Sequence, residues 1–203
     1  MIILDGSIWQ LLVTQFYQTS WIEWVGTISG FICVYLAAKQ NIWSWPIALI
    51  SVAAYSVLFY QYQLYGDAVL QVYFFGTSIY GWYYWTTNNE TEQKPIKSLS
   101  KSQWLLTLLL IGISTGLAGW ILDNYTPTNV PYADGFCTSM SFVAQFLMTR
   151  KIIQNWILWI IVDICYIPLY IYKDLVLTAI LYALFLWLAT MGYLEWRKKW
   201  KTA

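Results

Sequence analysis

The chain of 203 residues has no histidine, three cysteines and few charges, with Asp, Glu, Lys and Arg making up 10% of it. Each scarcity excludes something. Cys33, Cys137 and Cys165 lie far apart in apolar runs, so no zinc, haem or iron–sulfur spacing exists and no metal or cofactor is expected. Their expected role is that of small buried hydrophobes. With no histidine and scattered thiols there is no nucleophile–base pair, so the chain does not read as an enzyme. No glycine-rich phosphate loop is present, which excludes ATP hydrolysis by the chain itself. No nucleic-acid partner is expected. The first residues lack a basic stretch and a small-residue cleavage site, so no cleaved signal peptide is expected.

What is there is apolar. Hydrophobic residues make up 59% of the chain and its mean hydropathy is +0.52; a soluble domain carries about a quarter charged residues. No charge occurs between Lys39 and Asp67, or within 68–89, 102–122, 135–149 and 175–194. A helix needs about 20 mostly apolar residues to cross the hydrocarbon core. The expected fold class is an all-α polytopic membrane protein embedded in a lipid bilayer. Seven transmembrane spans are predicted, at 22–38, 44–62, 66–85, 103–122, 134–149, 153–172 and 175–195. Ile8–Tyr17 is apolar but too short to cross; an interfacial helix on the outer face is expected, or a packing or oligomer contact.

Residues 23–85 and 134–196 align without a gap at a constant separation of 111. Trp45 falls on Trp156, Tyr55 on Tyr166, Ala68 on Ala179, Phe74 on Phe185, Gly81 on Gly192 and Trp85 on Trp196. About a fifth of the aligned positions are identical. Internal repeats in an apolar chain are a mark of secondary transporters. Each copy holds three predicted spans, with one unmatched span between them. Both copies therefore point the same way, a 3+1+3 parallel-repeat arrangement with an inverting fourth span. The expected organisation is an N-terminal interfacial segment (1–21), a first three-helix repeat (22–85), a solvated cytoplasmic linker (86–102), the inverting helix (103–122), a second three-helix repeat (123–196) and a basic tail (197–203). Ten of the eleven Lys and Arg residues fall on one side and only Lys173 on the other. By the positive-inside rule the C-terminus is cytoplasmic and the N-terminus outside.

The copies differ in polarity. Asp134, Thr138, Ser141 and Gln145 recur at helical spacing in the second copy, where the first has Glu23, Thr27, Gly30 and Val34. In the sixth span Asn155, Trp159, Asp163, Tyr166 and Tyr170 share a face; their counterparts are Ser44, Ala48, Val52, Tyr55 and Phe59. Packing symmetry does not need this difference, whereas a substrate with unlike ends does. Asp163 stands out, because an ionisable group at mid-span costs at least about 2.5–3.5 kcal/mol. It is expected to contact a ligand or anchor a binding network, with a helix–helix hydrogen bond as the other reading. Gln145 and Asn155 carry the same two readings, since amides also join helices. Asp134 is a site residue or a helix cap. In the first copy Gln71 is the most deeply placed polar residue. The many tryptophans, Trp85, Trp196 and Trp200 among them, are expected in belts at the membrane surface. Aromatic faces with one carboxylate suit a flat organic cation. A metal ion would want several oxygens in a ring, and none is seen.

The run Trp45-Pro46-Ile47-Ala48-Leu49-Ile50, Leu64-Tyr65-Gly66-Asp67, Leu70-Gln71 and Ile79-Tyr80-Gly81-Trp82-Tyr83-Tyr84-Trp85 resembles the PnuC family of bacterial vitamin transporters. So do Ala144-Gln145-Phe146-Leu147-Met148-Thr149-Arg150-Lys151 and Asn155-Trp156-Ile157-Leu158-Trp159 with Asp163 and Leu169-Tyr170. The likeness covers about residues 22–196 and implies a SWEET-like fold. It also implies facilitated diffusion of a vitamin across the bacterial plasma membrane, made one-way by a cytoplasmic vitamin kinase. A homotrimer is a further implication. Family members carry nicotinamide riboside, thiamine or riboflavin. Nicotinamide riboside members have a Trp where this chain has Ala133, within Pro131-Tyr132-Ala133-Asp134. Loss of that ring would enlarge a pocket, so the reading leans to thiamine, with nicotinamide riboside as the alternative and a channel or membrane scaffold as a remoter one. The expected mechanism is alternating access around a pocket from the fifth, sixth and third spans, with Pro46 and Pro168 as bending points.

Overall fold

The computed structural model describes residues 7–61, 65–87, 95–126, 128–172 and 176–202. Lys173 and the acidic part of the linker, 88–94, lie outside these residues. Among the described residues the fold is all-helical, with eight helices: α1 (Ser7–Gln18), α2 (Trp21–Ala38), α3 (Ser44–Gln61), α4 (Tyr65–Thr86), α5 (Lys101–Tyr125), α6 (Pro131–Thr149), α7 (Gln154–Tyr172) and α8 (Val176–Thr202). A helix covers each predicted span, and α1 covers Ile8–Tyr17. By length and composition α2, α5, α7 and α8 can cross a membrane, and α3 adds a shorter apolar stretch, Ser44–Leu58. The basic tail is a continuation of α8, not a separate coil.

Local chemistry sets the helix ends. Ser20 caps α2 by accepting from the Glu23 N–H at 3.2 Å, and Ser100 and Gln103 form a capping box on α5. Pro131 opens α6, where its missing N–H costs nothing. Pro46 likewise stands in the first turn of α3 and so is no bending point, whereas Pro168 is interior to α7. Helices α2 and α6 end alike. Gln40 N–H donates to Ala37 O and Asn41 N–H to Leu36 O; Lys151 N–H donates to Met148 O and Ile152 N–H to Leu147 O. This closing pattern puts Gln40 (φ 57°) and Lys151 (φ 55°) in the left-handed region. Glycine is the usual residue there; a side chain costs roughly 1–2 kcal/mol.

Six helices close a ring. Helix α2 packs on α3 and α8, α3 on α4, α4 on α6, α6 on α7, and α7 on α8. Exchanging α2–α4 for α6–α8 maps this ring onto itself. Helix α5 stands outside against α6, where a Cβ on Gly135 would lie 2.7 Å from the Gly119 backbone nitrogen. Helix α1 lies against α8, and the Gln15 side-chain oxygen accepts from the Leu177 N–H at 3.0 Å, satisfying a donor in the first turn of α8.

Hydrocarbon gives spans little hydrophobic reason to associate, so close packing and hydrogen bonds must hold them. The repeat's identical residues supply both. Trp45 fills the space a side chain at Gly81 would need, and Trp156 does the same at Gly192, with the nearest ring atoms 2.4 and 2.7 Å from the would-be Cβ. The indole N–H of Trp85 donates to Thr149 O at 3.1 Å, and that of Trp196 to Ala37 O and Ala38 O at 3.2 Å. Each reaches the last turn of a helix in the other half, at positions that correspond in the alignment. Trp85 and Trp196 are therefore core residues rather than belt residues, 9% and 0% exposed; Trp200 is exposed as expected. The linker is also less solvated than its composition suggests. Ile96 is buried, and Lys97 pairs with the α6–α7 turn through Lys97 N–H to Lys151 O and Ile153 N–H to Lys97 O, both 2.9 Å.

Candidate functional site

The α6–α7 hairpin sets the two polar stripes side by side. The helices run antiparallel from a tight turn at 150–153, so Gln145 stands level with Trp159, Ser141 with Asp163 and Thr138 with Tyr166. Asn155 is fully buried and Asp163 is 4% exposed, while Trp159, Tyr166 and Tyr170 are half-buried. On α4, Gln71 is also buried.

The decisive property is what these groups are bonded to. Asn155 Nδ2 donates to Ile152 O at 2.6 Å, but its Oδ1 is buried without a partner among the described residues. Among those residues no hydrogen bond or ion pair reaches the Asp163 carboxylate. In the first half the Tyr55 hydroxyl bonds to Thr27 Oγ1 at 2.9 Å and Ser51 Oγ donates to Gly26 O at 2.8 Å, joining α2 to α3. Ser44 Oγ, the counterpart of Asn155, and Ser78 Oγ are also buried without a partner among the described residues. What sets α7 apart is Asp163, a carboxylate where the first half has Val52; a buried polar group without a partner is costly unless something arrives to fill it.

Aromatic rings cover one end of this stripe. Tyr166 and Tyr170 stack at 5.4 Å and 24°, and each lies 4.9 Å from Tyr182 of α8, which leads on to Phe185 at 6.0 Å. Tyr182 is within electrostatic range of Asp163. The sequence reading missed Tyr182, although it is the counterpart of Gln71 and was findable by that correspondence.

Two expected site residues also bond locally. Asp134 Oδ2 accepts from Thr128 Oγ1 at 2.8 Å, tying the approach loop to the start of α6, about 16 Å along the helix from Gln145. Ser141 Oγ donates back to Cys137 O at 2.8 Å within its own helix. Thr138 and Gln145 are half-buried and remain on the α7 side. Ala133, in the first turn of α6, is exposed. A shallow groove of about 390 Å³ along the outer face of α8, lined by Trp187, Thr190, Met191, Leu194, Glu195 and Lys198, contains none of the candidate residues. Among the described residues no group of His, Cys, Asp and Glu is placed to hold a metal ion.

The sequence matches a family model described as nicotinamide mononucleotide transporter over residues 20–198. The nicotinamide riboside transporter PnuC of Escherichia coli is 31% identical over 207 aligned positions, covering 89% of this chain and 86% of the relative. The nicotinamide riboside transporter PnuC of Neisseria mucosa is 28% identical, covering 93% and 76%. The crystal structure of a vitamin B3 transporter PnuC superposes with a TM-score of 0.75 at 27% identity, covering 96% of this chain and 88% of that one.

Proposed function

Because the chain belongs to the nicotinamide mononucleotide transporter family, whose PnuC members it matches along most of its length, we propose that it carries nicotinamide riboside across the bacterial plasma membrane. It is a multi-pass membrane protein of a transporter family and not an enzyme. The observation that carries the substrate reading is the Asp163 carboxylate, reached by no hydrogen bond or ion pair among the described residues, beside a tyrosine cluster. Nicotinamide riboside is a flat pyridinium cation with a carboxamide and ribose hydroxyls. Tyr166, Tyr170, Tyr182 and Trp159 offer ring faces to the cation and Asp163 offers charge and acceptor oxygens, while Asn155 Oδ1, about 16 Å along α7 from Tyr166, offers an acceptor at the opposite end of the stripe. Gln145, Thr138 and Gln71 add polar edges.

The riboside is favoured over the mononucleotide. A phosphate brought to the tyrosine end of this stripe would meet Asp163, which lies about 12 Å along α7 from Asn155 and the basic turn that carries Arg150 and Lys151. Burying an uncompensated anion beside a carboxylate is strongly unfavourable. The leaning to thiamine finds no support, since the relatives reported above are named for nicotinamide riboside.

The mechanism we propose is facilitated diffusion by alternating access. Seven spans in a 3+1+3 parallel-repeat arrangement are supported by the ring that maps onto itself when the halves exchange. The C-terminal ends of α2, α4, α6 and α8, where Lys39, Arg150, Lys151 and Lys199 stand, would face the cytoplasm, with α1 at the outer surface. A cytoplasmic kinase acting on the vitamin would make uptake one-way, and assembly as a homotrimer would follow the family. Purified protein in liposomes should take up labelled nicotinamide riboside without ATP or a proton gradient, and unlabelled thiamine or mononucleotide should compete at least tenfold less well. Equal competition by thiamine would overturn the substrate, and a requirement for either energy source would overturn the mechanism.

A further inference from the structure

Gln40 and Lys151 occupy equivalent positions in the two halves, 111 residues apart, and they touch: Lys151 Nζ donates to Gln40 Oε1 at 3.3 Å. Two residues that the repeat exchanges can meet only on the axis relating the halves. The pair therefore marks the centre of the ring at its basic end. Both side chains are buried, Gln40 6% and Lys151 2% exposed, and the lysine ammonium lies 4.5 Å above the Trp85 ring. Beneath them four indoles cross the axis in a line, Trp45–Trp85–Trp196–Trp156, at centroid spacings of 5.2, 6.1 and 5.6 Å. The line reads the same from either half.

Flanking contacts repeat the pattern. Lys39 Nζ meets Glu195 Oε1 at 2.7 Å. At the equivalent positions Arg150 lies 4.9 Å over the Tyr84 ring and also hydrogen-bonds to the Tyr80 hydroxyl. Four helix ends are thus drawn together at one level. Both central residues hold left-handed backbone where glycine would be free of strain. Long polar side chains have been kept there against that preference, which points to work done by the side chains.

We propose that Gln40 and Lys151 form an axial latch that holds the basic end of the transporter shut over the tryptophan row, and that its release opens the vitamin's path on that side. The latch rests on the transporter reading above, but its test reads accessibility and not transport. An ammonium that donates to a neutral amide and sits on a ring closes the path without an ion pair between the two central residues. Lys97, paired to the backbone on either side of Ile152, fixes the turn that carries Lys151, so release is a movement of the lysine side chain or of the opposite turn at Gln40.

Ser78 is the reporter. It lies on the Trp85 face of α4, two turns further in, and is 1% exposed. In full-length protein with the three native cysteines replaced by alanine, Ser78→Cys is labelled in membrane vesicles by an impermeant maleimide. Vesicle orientation is set by labelling of a separate Lys198→Cys protein. With the basic end facing the reagent, Lys151→Gly is expected to raise the labelling rate about tenfold, the scale of one charge-assisted hydrogen bond. Gln40→Glu, which turns the contact into an ion pair, is expected to lower it. Lys151→Met keeps the length and the ring contact but not the donor, and should fall between. A Lys151→Gly rate within twofold of the parent, or a faster rate in Gln40→Glu, overturns the latch. Nicotinamide riboside binding by the same proteins in detergent is read separately. Its failure in the parent would overturn the substrate and leave the latch result standing.

Discussion

Alanine at Gly81 or Gly192 should damage the fold from inside, and the size of the effect follows from the two tryptophans. A Cβ at Gly192 would lie 2.7 Å from three atoms of the Trp156 ring, and one at Gly81 would lie 2.4 to 2.6 Å from Trp45. Ordinary carbon contacts are about 3.5–4.0 Å, so a ring or a helix must move by about 1 Å. Neither ring has room, since Trp156 is 1% and Trp45 3% exposed. Overpacking of this kind costs about 1–3 kcal/mol, against a gain of about 1 kcal/mol from alanine's helix propensity. Gly112 and Gly116 are the controls, because nothing lies within 4 Å of a Cβ at either. In thermal unfolding of the full chain in detergent, Gly81→Ala and Gly192→Ala should each melt about 2–6 °C lower, while Gly112→Ala should melt at the parent temperature or above it. If all three behave alike, the tryptophan–glycine seams do not hold the helices of each half together and the packing described above is wrong.

Asp163→Asn should weaken nicotinamide riboside binding about tenfold to a hundredfold, measured by titration calorimetry, because a cation loses a nearby charge in a poorly screened site; unchanged affinity would remove the carboxylate from the site. Ala133→Trp should leave selectivity between nicotinamide riboside and thiamine unaltered in a competition assay, since the position is exposed. Asp134→Ala should lower the melting temperature by a few degrees, through loss of the bond from Thr128, with less than about threefold change in affinity.

Charge-free runs made the helices legible, because in hydrocarbon a backbone has few alternatives to the helix. The gapless alignment exposed the repeat, and its identical residues turn out to be the packing seams. Which way a side chain faces was harder to read. Trp85 and Trp196 look like belt residues in an aromatic-rich chain, yet each finds a carbonyl in the opposite half. Periodicity within one helix cannot report that. Asp134 and Ser141 share the face of Gln145 in spacing, but short side chains bond to their own helix or loop whenever such a partner is in reach. Tyr182 went unseen because α8 is apolar nearly all round, so no stripe marks its inner side. In the sequence Lys151 is one of ten basic residues on a single side. Only folding brings it to the residue that repeats it 111 positions earlier.

A structure with nicotinamide riboside bound tests the central claim most directly. The account predicts the pyridinium ring against Tyr166, Tyr170 and Tyr182, with Asp163 in hydrogen-bond reach of the ligand. A riboside held instead by Thr27, Ser51 and Tyr55 of the first half, with Asp163 still unfilled, would contradict it.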